Sequence, residues 1–248
     1  RGETARLALT MAGIDFEDNR VVFKDWPALK AQTPFGAMPV LEVDGNSISQ
    51  SATINRYVGK LANLYPTDPY QAMLCDEVMD AVEEVMSKIS GTMFIADEAV
   101  KKAKREAIVA GPMTQYLTRL QECLKERGGE FFADNRLTVA DLVVFVWVNG
   151  LCSGNIDYIP ADLAEKVAPL LMQHNERVAA QPKIKALREL DNMILPLIGK
   201  KLQTRLDDQT SHMFFTATVL LTVMVIIIYL YSAFFLSVQY SIARFFSA

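Results

Sequence analysis

Gln50-Ser51 stands where a strand-like stretch gives way to a helix-like one, "NSISQSATINRYV". The first N–H groups of a helix lack intrahelical partners and sit at the positive end of its dipole, so such a junction is a natural seat for a carboxylate. Ser51 is also a good N-cap residue, and the two roles are compatible. Upstream, Pro39 opens the apolar run "PVLEV", although proline removes a donor from a strand ladder. One explanation is a cis Met38–Pro39 bond, which leaves the backbone of residue 38 free to pair with an extended ligand; cis bonds are nevertheless a minority even before proline. The two features together suit an extended ligand that carries a carboxylate.

Other chemistries find less support. His174 and His212 are the only histidines, and Cys75, Cys123 and Cys152 form no CxxC pair. A Ser-His-Asp triad, a zinc site and a disulfide framework are therefore disfavoured, and the three thiols read as buried structural residues. No metal site is expected, and no Walker loop, GxGxxG or HExxH occurs. The 248 residues carry a net charge of -4 with 22% charged side chains, which suits one or two globular domains. That mild acidity argues against nucleic acid as a partner. The basic run "KKAKRE" at 101–106 reads as a solvated helix face.

Three blocks position these residues. Block one, 1–64, mixes helix and strand. "GETARLALTMAG" reads as a helix stopped by Gly13, 16–23 as a strand, and "DWPALKAQ" as a short helix with Pro27 in its first turn. Residues 38–49 read as two strands joined by an Asp44-Gly45 hairpin turn. Block two, 70–198, is helical throughout. Leu74, Val78, Ala81, Val85 and Ile89 fall at helical spacing, and Thr138 with Asp141 has the T-x-x-D form of a capping box. A linker at 199–212 leads to the third block, an apolar run at 213–236, and a short tail at 237–248.

Together, "DWPALK", "PFGAMPVLEVDG" and "ISQSATINRYV" resemble the glutathione-site signature of the glutathione S-transferase family, most closely its sigma class. "RGETARLAL" is similar to that family's first helix, and "LTVADLVVF" to a capping segment of its helical domain. The resemblance spans roughly 1–200. It implies an α/β thioredoxin-like domain followed by an all-α domain, with glutathione as co-substrate and a homodimer as the usual assembly. By the same resemblance, Trp26 and Lys30 meet the glycine carboxylate of glutathione, and the backbone of Met38, before Pro39, pairs with its cysteinyl part. Gln50 and Ser51 hold the γ-glutamyl carboxylate, and Glu84 reaches the partner subunit's glutathione. Ala37 departs from the glutamine frequent there, which weakens binding by on the order of 1 kcal/mol. The family's catalytic tyrosine, and the first strand that carries it, correspond to positions before Arg1. The resemblance places that strand between 16–23 and 38–43 and leaves the catalytic group unassigned here.

The run 213–236 holds 24 residues without a charge. As a helix it covers about 36 Å, against a hydrocarbon core of about 30 Å. Lys200, Lys201 and Arg205 before it outnumber Arg244 after it, which predicts a tail-anchored, single-pass protein whose globular part stays on the cytosolic, matrix or stromal side. Two functions follow. One is a membrane-anchored glutathione transferase acting on lipophilic electrophiles by conjugation, peroxide reduction or isomerisation, with Met86, Ser87 and Phe94 lining the acceptor pocket. The other is a non-catalytic accessory subunit of an organellar membrane complex, since a fold does not dictate its function.

Overall fold

A computed structural model of the chain describes residues 1–22 and 24–189 together with the backbone of Ala243–Ser247. The linker and the apolar run at 199–236 lie outside the described residues. Among those described, no helix is long and apolar enough to cross a membrane.

Helix α1 (Glu3–Ala12) buries Ala5, Ala8 and Leu9 completely. It stops where the sequence predicts, at Gly13, whose φ of 69° is the left-handed conformation that glycine tolerates. There the N–H of Gly13 reaches Thr10 O and that of Ile14 reaches Leu9 O, both at 3.0 Å. Strand β1 (Phe16–Arg20) follows and is shorter than the 16–23 expected. Arg6 of α1 donates from Nε to Asp18 Oδ1 of β1 at 2.8 Å, fastening helix to strand. Helix α2 (Trp26–Lys30) carries Pro27 in its first turn. Strands β2 (Val40–Val43) and β3 (Asn46–Ser49) form the expected hairpin, with Val43 opposite Asn46. Asp44 and Gly45 have φ of 49° and 78°, the signs a two-residue hairpin turn of the primed type requires. Helix α3 (Ser51–Leu61) completes this part.

The sheet order is β1-β4-β2-β3, and β4 is Ala243–Ser247, from the far end of the chain. It runs parallel to β1 and antiparallel to β2, in the slot that the sequence reading assigned to a strand before Arg1. The physical reason for an occupant is plain: the inner edges of β1 and β2 present N–H and C=O groups that need partners.

The helical part comprises α4 (Pro69–Ser90), α5 (Glu98–Ile108), α6 (Thr114–Glu126), α7 (Val139–Cys152), α8 (Leu163–Val167) and α9 (Pro169–Ala179). A π-helical turn, Val109–Met113, links α5 to α6. Asp68 caps α4 and Asp97 caps α5 through their side chains, as short acceptors at N-caps do. On α4 the buried stripe is Cys75, Val78, Met79, Val82, Val85 and Ile89, while Leu74 and Ala81 are half-buried flanks. Helix α7 is apolar on every side because it is the centre of the bundle, packed against α1, α4 and α9. Residues 1–185 and the strand at 243–247 form one compact unit.

Cys75 and Cys123 are buried and Cys152 is half-buried; all three are free thiols. Burial pushes the Cys75 thiol up to about 11 and raises the other two. The thiolate is the nucleophile, so iodoacetamide at pH 8 should leave Cys75 unmodified in the native protein and label it in urea. Rapid native labelling of Cys75, read by peptide mass, would contradict this assignment.

Candidate functional site

The site is built where the hairpin ends and α3 begins. The Met38–Pro39 bond is cis, and Pro39 is buried while Met38 is half-buried. Gln50 follows β3 with φ 78° and ψ 109°, an uncommon conformation for a non-glycine residue and one that concentrates at functional sites. It turns the chain so that α3 starts at Ser51. No side chain caps α3, which leaves its first-turn N–H groups without a side-chain acceptor at the positive end of the dipole.

Ser51 therefore does not cap α3, contrary to one of its two sequence readings. Its hydroxyl instead donates to Glu83 Oε2 of α4 at 3.1 Å. Glu83 also pairs with the Arg1 guanidinium, which in turn donates to Ser90 Oγ at 3.2 Å. This Arg1–Glu83–Ser51 chain ties the start of the described chain to α3 and α4. Across the hairpin, Lys30 is exposed, and its aliphatic stem lies over Gly36, so that a Cβ added there would sit 3.4 Å from Lys30 Cε. No acidic partner holds its ammonium among the described residues. Trp26 is half-buried one helical turn before it.

A cavity of about 270 Å³ opens beside Ser51. Arg1, Thr4, Ser51 and Glu83 form its polar part, and Met79, Val82, Met86, Ile89, Val143 and Trp147 much of its apolar wall. None of the five tyrosines among the described residues lines it. Of the three residues expected in an acceptor pocket, Met86 lines the cavity. Ser87 is exposed and turns its hydroxyl back to Glu84 O at 2.6 Å. Phe94 is 86% exposed beyond the end of α4. Glu84 also lies off the cavity, on the face of α4 that carries Lys88, 3.5 Å away. A hydrogen bond from Tyr116, assisted by Lys88, holds its carboxyl below the usual range.

Sequence reasoning missed Glu83, Asn55 and Trp147 as cavity residues. The signal for Glu83 is spacing: Met79, Glu83, Met86 and Ser90 recur every three or four residues along one face of α4. No such signal exists for Trp147, because α7 is apolar all round. Among the described residues no group of His, Cys, Asp or Glu is arranged to hold a metal ion.

A short parallel-antiparallel sheet with a cis-proline turn, a helix N-terminus beside it and an all-helical part behind defines a thioredoxin-like binding domain joined to a helical domain. Residues 1–60 match the model of the glutathione S-transferase N-terminal domain and residues 83–189 that of the C-terminal domain. Glutathione S-transferase 2 of Manduca sexta is 34% identical over 184 residues, covering 73% of this chain and 86% of its own length. Hematopoietic prostaglandin D synthase of Gallus gallus is 33% identical over 186 residues, 75% and 88% of the two chains. The solved structure of prostaglandin synthase D of Nilaparvata lugens superposes with a TM-score of 0.69 at 32% identity, covering 76% of this chain and 91% of that one. The chain belongs to the glutathione S-transferase family.

Proposed function

We propose that the protein is a sigma-like glutathione transferase that binds glutathione across the hairpin and presents its thiol to an apolar electrophile in the adjacent cavity. One observation carries the reading: a single cavity joins the uncapped start of α3, at Ser51, to an apolar wall on α4 and α7. In this reading the α3 N-terminus and Gln50-Ser51 receive the γ-glutamyl carboxylate. The Met38 backbone pairs with the cysteinyl part as an added strand does. Lys30 and Trp26 hold the glycine end, Lys30 through a charge-assisted hydrogen bond. In a homodimer Glu84, exposed and held ionised, is available to the amine of the partner's glutathione.

Relatives named as prostaglandin D synthases support isomerisation of a lipophilic peroxide as one use of such a site, alongside conjugation and peroxide reduction. The uncharged run at 213–236 supports attachment to a membrane, with the globular part on its cytosolic, matrix or stromal side. A single crossing carries the residues that follow to the far side, so such an anchor requires the strand at 243–247 to leave the sheet.

Lys30→Gln tests the reading, because an exposed side chain is changed without disturbing the core. Losing one charge-assisted bond should weaken glutathione binding about tenfold by isothermal titration. The unaltered protein should be retained on immobilised glutathione and conjugate a chloronitrobenzene. Absence of both retention and conjugation would remove the proposal.

A further inference from the structure

Three methionines line the cavity beside Ser51: Met79, Met86 and Met93. They recur every seven positions. Met79 and Met86 therefore share one face of α4, two helical turns apart, and Met93 follows just past the end of that helix at Ser90. They span a wide range of exposure within one lining. Met79 is 2% exposed, Met86 is half-buried and Met93 is 57% exposed. Met73, near the start of the same helix, is 56% exposed, almost the same as Met93, but is not part of the lining. No cysteine is in the lining, so among the described residues these thioethers are its only sulfur. Leucine fills such space about as well as methionine and holds no reactive atom. A thioether differs in that peroxides oxidise it to a sulfoxide, a polar group that dedicated reductases turn back.

We propose that Met86 and Met93 are sites of oxidative modification, converted to sulfoxides by apolar organic hydroperoxides that bind in this cavity. The proposal rests on the reading of the cavity as the acceptor pocket and adds to it a chemical regulation of that pocket. In the step, a lone pair on the thioether sulfur attacks the terminal oxygen of the hydroperoxide and forms the S–O bond. The O–O bond breaks, and the departing alkoxide takes the proton of the transferred hydroxyl and leaves as an alcohol. Sulfur loses two electrons and the peroxide gains them, so no further reactant is needed. Binding raises the local concentration of oxidant at these two side chains, which exposure alone does not do. Met79 is screened by its burial and reacts last. Each sulfoxide places a strongly polar S=O group in a wall shared with Val82, Ile89 and Val143, where an apolar ligand cannot hydrogen-bond it and binds at a cost. Excess hydroperoxide thus lowers its own access to the pocket, and reduction of the sulfoxides restores it.

The test compares two oxidants on the full chain without glutathione, each methionine being followed by peptide mass. Hydrogen peroxide is small and water-soluble and reports exposure; cumene hydroperoxide is apolar and reports binding as well. For each methionine the rate with cumene hydroperoxide is divided by the rate with hydrogen peroxide, so that exposure cancels. This ratio should be about 10-fold higher for Met86 and Met93 than for Met73. The unreactive analogue 2-phenylpropan-2-ol should slow the reaction of Met86 and Met93 with cumene hydroperoxide and leave that of Met73 unchanged. After the treatment, affinity for an environment-sensitive naphthalene sulfonate fluorophore should fall about 10-fold. In a variant carrying Met86→Leu and Met93→Leu it should fall less than about twofold, each protein's affinity before treatment being its own reference. Equal ratios for Met73, Met86 and Met93, or a loss of affinity as large in the variant, would overturn the proposal. Displacement of the fluorophore by 2-phenylpropan-2-ol separates the two readings. With displacement and equal ratios, the acceptor pocket stands and the oxidation proposal alone falls; without displacement, both fall.

Discussion

Replacing Asp141 by alanine should destabilise the protein by about 3–5 kcal/mol, seen as a fall in melting temperature of about 10 °C. The expectation follows from the number of donors that this one carboxylate serves. Its Oδ1 accepts from Phe132 N at 3.0 Å and faces His174 Nε2 at 2.9 Å. Its Oδ2 accepts from the N–H and the hydroxyl of Thr138, both at 2.7 Å. Asp141, Thr138, His174 and Phe132 are fully buried, and the His174 ring meets Phe132 edge-on at 5.1 Å. Alanine strands all four groups where water does not reach them, at the start of the helix against which α1, α4 and α9 pack.

Asp141→Asn separates hydrogen bonding from volume. An amide keeps one acceptor and makes the other position a donor. Placed toward Phe132 and His174, the NH₂ meets the Phe132 N–H; placed toward Thr138, it meets the Thr138 N–H. One donor faces another in either orientation, so a loss on the order of 2 kcal/mol is expected. The ordering alanine worse than asparagine worse than wild type, measured by urea denaturation, is the check. Equal stability of all three would mean that the box adds nothing beyond packing.

That capping box was readable in the sequence because its geometry is local: Thr138 and Asp141 are three residues apart and close on each other whatever surrounds them. The same locality made Gly13, the Asp44-Gly45 turn and the strand-to-helix change at Gln50-Ser51 visible. His174, by contrast, reaches Asp141 from α9 across 33 positions, and nothing in its own neighbourhood announces the pairing. The candidate site divides in the same way. Lys30, Met38, Pro39, Gln50 and Ser51 lie in signature segments whose backbone the sequence largely dictates. The direction of the Ser51 hydroxyl depends on which of two adjacent glutamates α4 turns toward it. One position along a helix is about 100° of rotation, enough to put Glu83 at the cavity and Glu84 with Tyr116 on another face. Phe94, expected with Met86 and Ser87 among the helix residues of the acceptor pocket, lies beyond the end of α4 at Ser90 and is exposed.

A chain ending at residue 241 should lose the middle of its sheet. Strand β4 pairs on both sides, Asp18 and Leu41 flanking position 245 in register, so its removal strips partners from β1 and β2 together. Amide hydrogens in Phe16–Arg20 and Val40–Val43 should then exchange about 100-fold faster, the equivalent of about 3 kcal/mol of local protection. Phe245→Pro should act in the same direction by removing one donor from an interior strand. The consequence reaches function because Val40 directly follows the cis Met38–Pro39 pair: a frayed β2 loosens the backbone that the proposed glutathione site uses, and binding should weaken with the exchange. The same measurement bears on the apolar run. A helix over 213–236 that crosses a bilayer once carries residue 243 to the far side, where it cannot pair with β1 or β2. Protein inserted into lipid vesicles through its tail should therefore exchange as the shortened chain does, whereas protein free of lipid should keep its protection. Unchanged protection on removing residues 242–248 would show that another strand, such as one preceding Arg1, holds the slot. In that case the tail is free to enter a membrane at no cost to the sheet; otherwise anchoring and sheet closure exclude each other in the same molecule.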